Sequence, residues 1–152
     1  MNISLTSREI LLRENNIFKS ENLITKNEWT DASYYLNLSE EFIREFKNEV
    51  DWENISAFQI LTENFIREFK GLVYWPYISG KQELSFNFIR EFEHLIDWDL
   101  HFYHQDIPFE IMKTFIHKTS FYEMEHFNYK HLNNLERKEI KRILKFKYLF
   151  EK

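Results

Sequence analysis

The pentapeptide Phe-Ile-Arg-Glu-Phe stands at residues 42–46, again at 65–69 and a third time at 88–92, so that consecutive copies lie 23 residues apart. Four tryptophans keep the same spacing, at Trp29, Trp52, Trp75 and Trp98. A repeat of about 20 to 50 residues is typical of a solenoid, in which each copy buries its apolar face against the next. We therefore predict stacked repeats, with a degenerate fourth pentapeptide at residues 111–115.

Each regular copy contains two segments with helical periodicity. In the first copy, Ser39 precedes a segment whose Phe42, Ile43 and Phe46 share one helical face, and Asp51 precedes a second segment. Serine and aspartate are favoured N-caps because their side-chain oxygens accept hydrogen bonds from free backbone N–H groups. The pattern predicts an all-α solenoid of two short helices per 23-residue repeat. It also predicts that the four tryptophans and Phe121 stack as one buried column.

A leucine-rich-repeat-like α/β solenoid is the competing interpretation. Its period is also compatible with 23 residues, and residues 50–52 would then form a short strand. However, Ile55 falls at the position where that family carries asparagine. This mismatch favours two helices over a strand and a helix, and the choice stays open at this point.

The ends of the chain differ from the regular copies, as solenoids require for capping. The sequence predicts one domain over residues 1–152. Residues 1–37 would form an N-terminal cap and a degenerate repeat, with Thr6 or Ser7 and then Thr25 as helix caps. Four repeats would follow over residues 38–130. A C-terminal capping helix over residues 131–152 would bury Leu132, Leu135, Ile140, Ile143 and Leu144.

The composition excludes several classes of protein. The chain has 152 residues with 16 Phe, 8 Tyr and 4 Trp, but 2 Gly, 2 Pro and no Cys. Disulfides and cysteine-ligated metal sites are therefore excluded, which suits a reducing cytoplasm. No apolar run reaches the roughly 18 residues of a membrane span, and the N-terminus lacks the pattern of a signal peptide. We expect a cytoplasmic protein with no membrane partner.

The net charge of −5 is distributed unevenly. Residues 133–152 carry seven Lys/Arg against three Glu, so the rest of the chain is strongly acidic. An acidic body argues against nucleic-acid binding by the repeats, because phosphates need basic surfaces. The same charge favours a protein partner with a basic surface.

The units at residues 38–46 and 50–59 resemble a tandem repeat of uncharacterised proteins from large DNA viruses, phages and other mobile elements. The resemblance extends over about residues 38–128 and defines no functional residues. It implies a viral or mobile-element protein that acts in the host cytoplasm. An inhibitor of a host defence protein, similar to an anti-CRISPR, is the sharpest function that it implies.

No motif for catalysis or cofactor binding is present. The sequence has no glycine-rich phosphate loop, no nucleophile elbow and no cysteine nucleophile. His101 and His104 are three residues apart, and His94 and His117 share one column, but zinc needs three or four ligands. We predict no catalytic residues, no metal, no cofactor, and histidines that lie at the surface.

Two sets of residues are candidates for binding a partner. Arg44, Arg67 and Arg90 form a basic column, which either contacts a partner or pairs with glutamates of neighbouring repeats. The second set departs from the repeat, where departures need a cause other than folding. These residues either anchor a partner or pack against the capping helix, and they are Tyr74, Tyr77, Leu100, Phe102 and Tyr103. The column of Gln59, Gln82, Gln105 and Asn128 is predicted to satisfy loop backbone groups.

The sequence therefore predicts a non-enzymatic scaffold that binds a protein with a basic surface. A structural virion component or a self-assembling protein is one alternative. A hydrolase or nuclease with a histidine-centred site is the other.

Overall fold

A computed structural model describes residues 6–121 and 124–150. For Met124 and Phe150 it describes the backbone but not the side chain. The described residues form ten α-helices and three short 3-10 helices, without a strand. The prediction of an all-α repeat fold is thus confirmed, and the predicted alternative of a strand at residues 50–52 is wrong. No helix in the described ranges is both long enough and apolar enough to cross a membrane.

The chain divides into two compact units, residues 1–74 (unit 1) and residues 75–152 (unit 2). The expectation that residues 1–152 form one domain stays a prediction. Unit 1 contains helices α1 (Ser7–Glu14), α2 (Lys26–Tyr35), α3 (Glu40–Glu45), α4 (Trp52–Phe58) and α5 (Glu63–Glu68), and a 3-10 turn at Glu21–Leu23. Within it α1 contacts α3 and α2 contacts α4, so that equivalent helices of successive copies lie side by side.

Unit 2 repeats this arrangement and ends in a long helix. It contains α6 (Trp75–Lys81), α7 (Phe86–Glu91), α8 (Trp98–His104), α9 (Phe109–Phe115) and α10 (Asn134–Phe150), with 3-10 turns at Ile116–Lys118 and Met124–His126. Helix α6 packs against α8, and α10 contacts both 3-10 turns.

Helix α10 covers the core of unit 2. Ile140 and Leu144 are buried in the same cluster as Phe102 and Phe127, as expected of a capping helix. Leu132 belongs to that core too, although it precedes the helix. The predicted apolar face is wrong at Leu135, which lies in the first turn and is 76% exposed.

Side-chain caps begin the short helices where the sequence predicts them. The hydroxyl groups of Ser39, Thr62 and Ser85 accept hydrogen bonds from the backbone N–H three residues later, at 3.1, 3.2 and 3.2 Å. Asp51 and Asp97 cap α4 and α8 in the same way. Helices of six or seven residues are marginal in water, so caps and packing together must hold them.

Each tryptophan packs against the two phenylalanines of the following pentapeptide. The ring centroid of Trp29 lies 6.1 Å from that of Phe42 and 5.2 Å from that of Phe46. The equivalent rings after Trp52 and Trp75 lie at similar distances. Trp29 and Trp98 are buried, but the expectation of a uniformly buried column is wrong for Trp52, Trp75 and Phe121, which are half-buried. The phenylalanines form the deeper layer of the core, because both side chains of each regular pentapeptide are buried.

A glutamine connects the loop of one repeat to the next helix pair. The Gln59 Nε2 donates to the carbonyl oxygens of Ser33 at 3.0 Å and Leu36 at 2.8 Å. Its Oε1 accepts from the backbone N–H of Leu38 at 2.9 Å. We call this three-bond arrangement the Gln clamp. It confirms at Gln59 the role predicted for this column, because buried backbone groups need partners.

A buried serine joins consecutive copies, a link that the repeat pattern did not predict. The Ser56 hydroxyl donates to the carbonyl oxygen of Trp52 at 2.7 Å and accepts from the Tyr74 N–H at 2.8 Å. Ser79 makes the equivalent two bonds within unit 2. One hydroxyl thus closes its own helix and fixes the start of the next copy.

Candidate functional site

The structure separates the five predicted apolar anchors by exposure. Tyr74 and Tyr103 are exposed, and Tyr77 and Leu100 are half-buried. Phe102 has an exposed fraction of 0%. Binding of a partner by the first four stays a prediction, whereas Phe102 is inaccessible.

Phe102 is a core residue, and its prediction as a partner anchor is wrong. Its ring lies 5.9 Å from that of Trp98 and 5.3 Å from that of Phe127. It belongs to the same buried cluster as Ile140 and Leu144 of α10. The alternative, packing towards the capping helix, is the correct one for this residue. Periodicity could not distinguish the two roles of Phe102, because an aromatic residue that departs from the repeat is compatible with both a surface and a core.

Phe102 stands at the repeat position of Ser56 and Ser79, so the serine that joins two copies is absent there. Asp99 makes this link instead. Its Oδ1 accepts from the Thr119 hydroxyl at 2.5 Å and from the Ser120 N–H at 2.7 Å, and its Oδ2 accepts from the Ser120 hydroxyl. Lys147 also contacts the Thr119 carbonyl oxygen. Burial acts to raise the pKa of Asp99, but the hydrogen bonds from Ser120 and Thr119 outweigh it and lower the pKa below its ordinary value. Three hydrogen bonds thus make Asp99 a structural link between α8 and Thr119 and Ser120.

The arginine column makes local contacts. The Arg44 guanidinium binds the Glu68 carboxylate at 2.9 Å, and its pKa is raised by that hydrogen bond. Arg67 lies 3.6 Å from Glu63 on its own helix. The Arg90 guanidinium stands 5.6 Å from the ring centre of Phe86. The alternative of ion pairing between repeats is thus seen at Arg44, where solvent screens the exposed pair and keeps its contribution to stability small. A partner-binding role for the column stays a prediction.

An exposed apolar patch lies at the C-terminal ends of α2 and α4 in unit 1. It consists of Tyr34, Tyr35, Phe58 and Ile60, which we call the aromatic patch. The Tyr34 ring centre lies 4.4 Å from that of Tyr35 and 4.2 Å from that of Phe58. Tyr35 is 75% exposed and Ile60 is 96% exposed. The repeat pattern did not predict this patch, because the departures from the repeat that indicate a binding surface lie in later copies.

A groove of about 330 Å³ adjoins the aromatic patch at Tyr35. Phe18, Ile24 and Leu36 contribute to its largely apolar lining, and Phe18 is exposed. Asp31 also lines the groove and has no ion-pair partner among the described residues. Lys19 and Glu28 also line the groove and pair with each other at 2.9 Å. The groove therefore offers an apolar surface with one carboxylate, Asp31, outside that pair.

The acidic charge of the chain belongs to unit 1. Residues 1–74 contain eight Lys/Arg and thirteen Asp/Glu, a net of −5. Residues 75–152 contain twelve of each, a net of zero. The aromatic patch thus lies in the unit that attracts cationic surfaces.

His101 is buried, so the expectation of surface histidines is wrong for this residue. It is 3% exposed and stands in the column of Ile55 and Ile78. Its Nδ1 lies 2.9 Å from the carbonyl oxygen of Ser79, and its buried Nε2 has no hydrogen-bond partner. Because a carbonyl only accepts, Nδ1 carries the proton and Nε2 is an acceptor. His94, His104 and His117 are exposed, as expected.

No cluster of three or more His, Asp or Glu able to hold a metal ion occurs in the described ranges. His131 has a carboxylate neighbour, since its Nδ1 lies 3.4 Å from Asp106 Oδ1. Its Nε2 approaches the carbonyl oxygen of Ile107 at 2.6 Å.

Stability should depend on pH through His101. Burial lowers the pKa of His101 in the folded protein. In the unfolded chain the same ring takes up a proton as the pH falls through about 6.5. The unfolded state then binds more protons, so stability is complete above this pH and is lost below it, by at most about 1.4 kcal/mol per pH unit.

When the pH is lowered from about 7.5 to about 5.5, we therefore expect the free energy of unfolding to fall less in His101→Ile than in the wild type. Urea unfolding followed by circular dichroism at both pH values measures the difference. His94→Gln, at an exposed position, is the matched control and should behave like the wild type. An equal loss in wild type and His101→Ile would show that His101 does not carry the effect.

The chain matches no protein-family model, no curated protein and no solved structure.

Proposed function

We propose that this protein is a non-enzymatic repeat module that binds another protein through the aromatic patch of unit 1. The observation that carries the proposal is the exposure of Tyr35 beside the packed rings of Tyr34 and Phe58. Ile60, two residues after Phe58 in the chain, is exposed as well. Contiguous exposed apolar groups cost solubility and usually mark a binding site. Aromatic side chains are also the commonest anchors of protein interfaces.

The repeat itself does not require this patch. The positions equivalent to Tyr35 and Phe58 in unit 2 are Lys81 and His104, and the position equivalent to Ile60 is Glu83. The same helix pair is therefore built with polar side chains at these places. A purely structural explanation leaves the apolar residues of unit 1 without a cause.

The charge of unit 1 supports a basic partner. Asp31 borders the groove beside Tyr35 without an ion pair in the described structure, and the unit carries a net charge of −5. A lysine or arginine on the rim of the partner would complement this carboxylate, while an apolar side chain enters the groove. The resemblance of the repeat to viral and phage proteins supports a host defence protein as that partner.

Binding by purified components tests the proposal, with a partner first captured from host lysate. We expect Tyr35→Ala and Ile60→Asp each to weaken binding about tenfold or more, the usual effect of removing an interface anchor. Affinity should also fall as the salt concentration rises, because the attraction between the acidic unit and a basic rim is screened. Leu135→Asp is the matched control, since it removes an equally exposed leucine from unit 2.

Equal binding by wild type and the patch variants would refute the proposal, as would an equal loss in Leu135→Asp. Light scattering on the isolated protein separates a further possibility. A dimer that Ile60→Asp dissociates would show that the patch binds a second copy of this chain.

A further inference from the structure

Unit 2 contains a polar cavity of about 340 Å³ between α7, α8 and α9. Part of its wall is apolar and comes from Ile89, Ile107 and Ile111. The rest is polar and comes from Glu83, His101, His104, Gln105 and Asp106. Its volume is at the lower end of the range found for small-ligand pockets, about 300–1,000 Å³.

The cavity lies at the positions of unit 2 that correspond to the Gln clamp of unit 1. Gln105 is the counterpart of Gln59, but it makes a single hydrogen bond, from Nε2 to the Gly80 carbonyl oxygen at 2.8 Å. Leu84 is the counterpart of Leu38, and neither its N–H nor the Gln105 Oε1 has a hydrogen bond in the described structure. Gln105 and Leu84 are half-buried, whereas Gln59 and Leu38 are buried. The clamp is open in unit 2.

His101 is the substitution that accompanies the open clamp. The His101 Nδ1 donates a hydrogen bond to the carbonyl oxygen of Ser79. In unit 1 the corresponding carbonyl oxygen, that of Ser33, accepts a hydrogen bond from Gln59. The ring is 3% exposed, forms part of the cavity wall, and leaves its Nε2 acceptor without a partner. A buried unpaired acceptor is costly, which indicates a missing donor at this site.

The groups that line the cavity are mostly acceptors. Glu83 and Asp106 are carboxylates, and Gln105 Oε1 and His101 Nε2 are neutral acceptors. No lysine or arginine belongs to the lining. Asp106 approaches His131 at 3.4 Å, and Glu83 has no ion pair among the described residues. This set is suited to a cation that donates several hydrogen bonds.

We propose that this cavity binds an organic cation, a guanidinium or ammonium group on an apolar stem. The cationic group lies between the carboxylates of Glu83 and Asp106 and donates to Gln105 Oε1 and to His101 Nε2. The stem packs on the isoleucine wall. Both a free amine and an arginine or lysine side chain of a protein have this chemistry. The site belongs to unit 2 and does not rest on the function proposed for the aromatic patch.

Titration of the isotopically labelled protein with four probes tests this site by nuclear magnetic resonance. N-acetyl-arginine amide and N-acetyl-lysine amide represent protein side chains, and agmatine represents a free amine. N-acetyl-citrulline amide is the neutral control of nearly the same shape. We expect the cations to shift the amide signals of Leu84 and Gln105 and the ring nitrogens of His101, and citrulline amide to bind at least about fivefold more weakly. Tighter binding of agmatine than of the capped amino acids would identify a free amine as the ligand.

Two variants locate the cationic group. Glu83→Gln and Asp106→Asn should each weaken cation binding by about threefold to fivefold, the range for exposed charge pairs. Glu125→Gln, at an exposed position of the same unit outside the lining, should leave it unchanged. Equal affinity for citrulline and arginine amides, shifts confined to other residues, or no shift at about 20 mM probe would each overturn the proposal.

Discussion

Replacing Phe42 with alanine should lower the free energy of unfolding by about 3–5 kcal/mol, the usual cost of emptying a core aromatic site. Phe42 is fully buried, and its ring centroid lies 4.6 Å from that of Phe46 and 6.1 Å from that of Trp29. Alanine leaves a cavity between two helices that are too short to be stable alone. Urea unfolding monitored by circular dichroism measures the loss.

Phe58→Ala is the matched control for Phe42. Phe58 also lies in unit 1 but is half exposed in the aromatic patch, so its removal should cost about 1 kcal/mol or less. Similar losses for the two variants would show that the pentapeptide phenylalanines do not form the deeper layer of the core. The register of the repeat would then need revision.

Phe102→Ala should cost a similar amount, about 3–5 kcal/mol, because this ring fills the core between Trp98 and Phe127. The result separates the two roles that periodicity allowed for Phe102. A core residue changes the melting temperature, whereas an interface anchor changes binding and leaves stability nearly unaltered. Differential scanning calorimetry and binding on the same protein sample provide both measurements.

Tyr103→Ala is the control for Phe102, because it removes the adjacent aromatic from an exposed position. It should change stability by about 0.5 kcal/mol or less. If Phe102→Ala melted like the wild type, burial of this ring behind α10 would be contradicted. A loss of partner binding at an unchanged melting temperature would restore Phe102 as an anchor.

Local chemistry made the helices predictable. Ser39 and Asp51 each precede an amphipathic segment, and a cap needs only the backbone N–H three residues later. The Gln column was predictable for a related reason. An amide at the same position of successive copies indicates a repeated backbone partner, and Gln59 has three of them.

The candidate sites were less predictable, because they depend on exposure rather than on spacing. Tyr35 and Phe58 are aromatic like many core residues, and only the structure places them at the surface. The open clamp at Gln105 could not be anticipated either. Glutamine is present at this position as in the other regular copies. Its hydrogen bonds differ because His101 donates to the Ser79 carbonyl oxygen, and Gln105 bonds to the Gly80 carbonyl oxygen.

The sequence by itself determined the period, the helix pairs and their caps, since these follow from contacts within one copy or between identical positions of adjacent copies. Tertiary structure alone decided which irregular residues are inside. Phe102 is buried because α10 contributes Ile140 and Leu144 to its core, and these residues lie about 40 positions further along the chain. Ile60 is exposed because no described element covers it. Burial depends on what lies across the fold, and a period of 23 residues carries no information about partners at that distance.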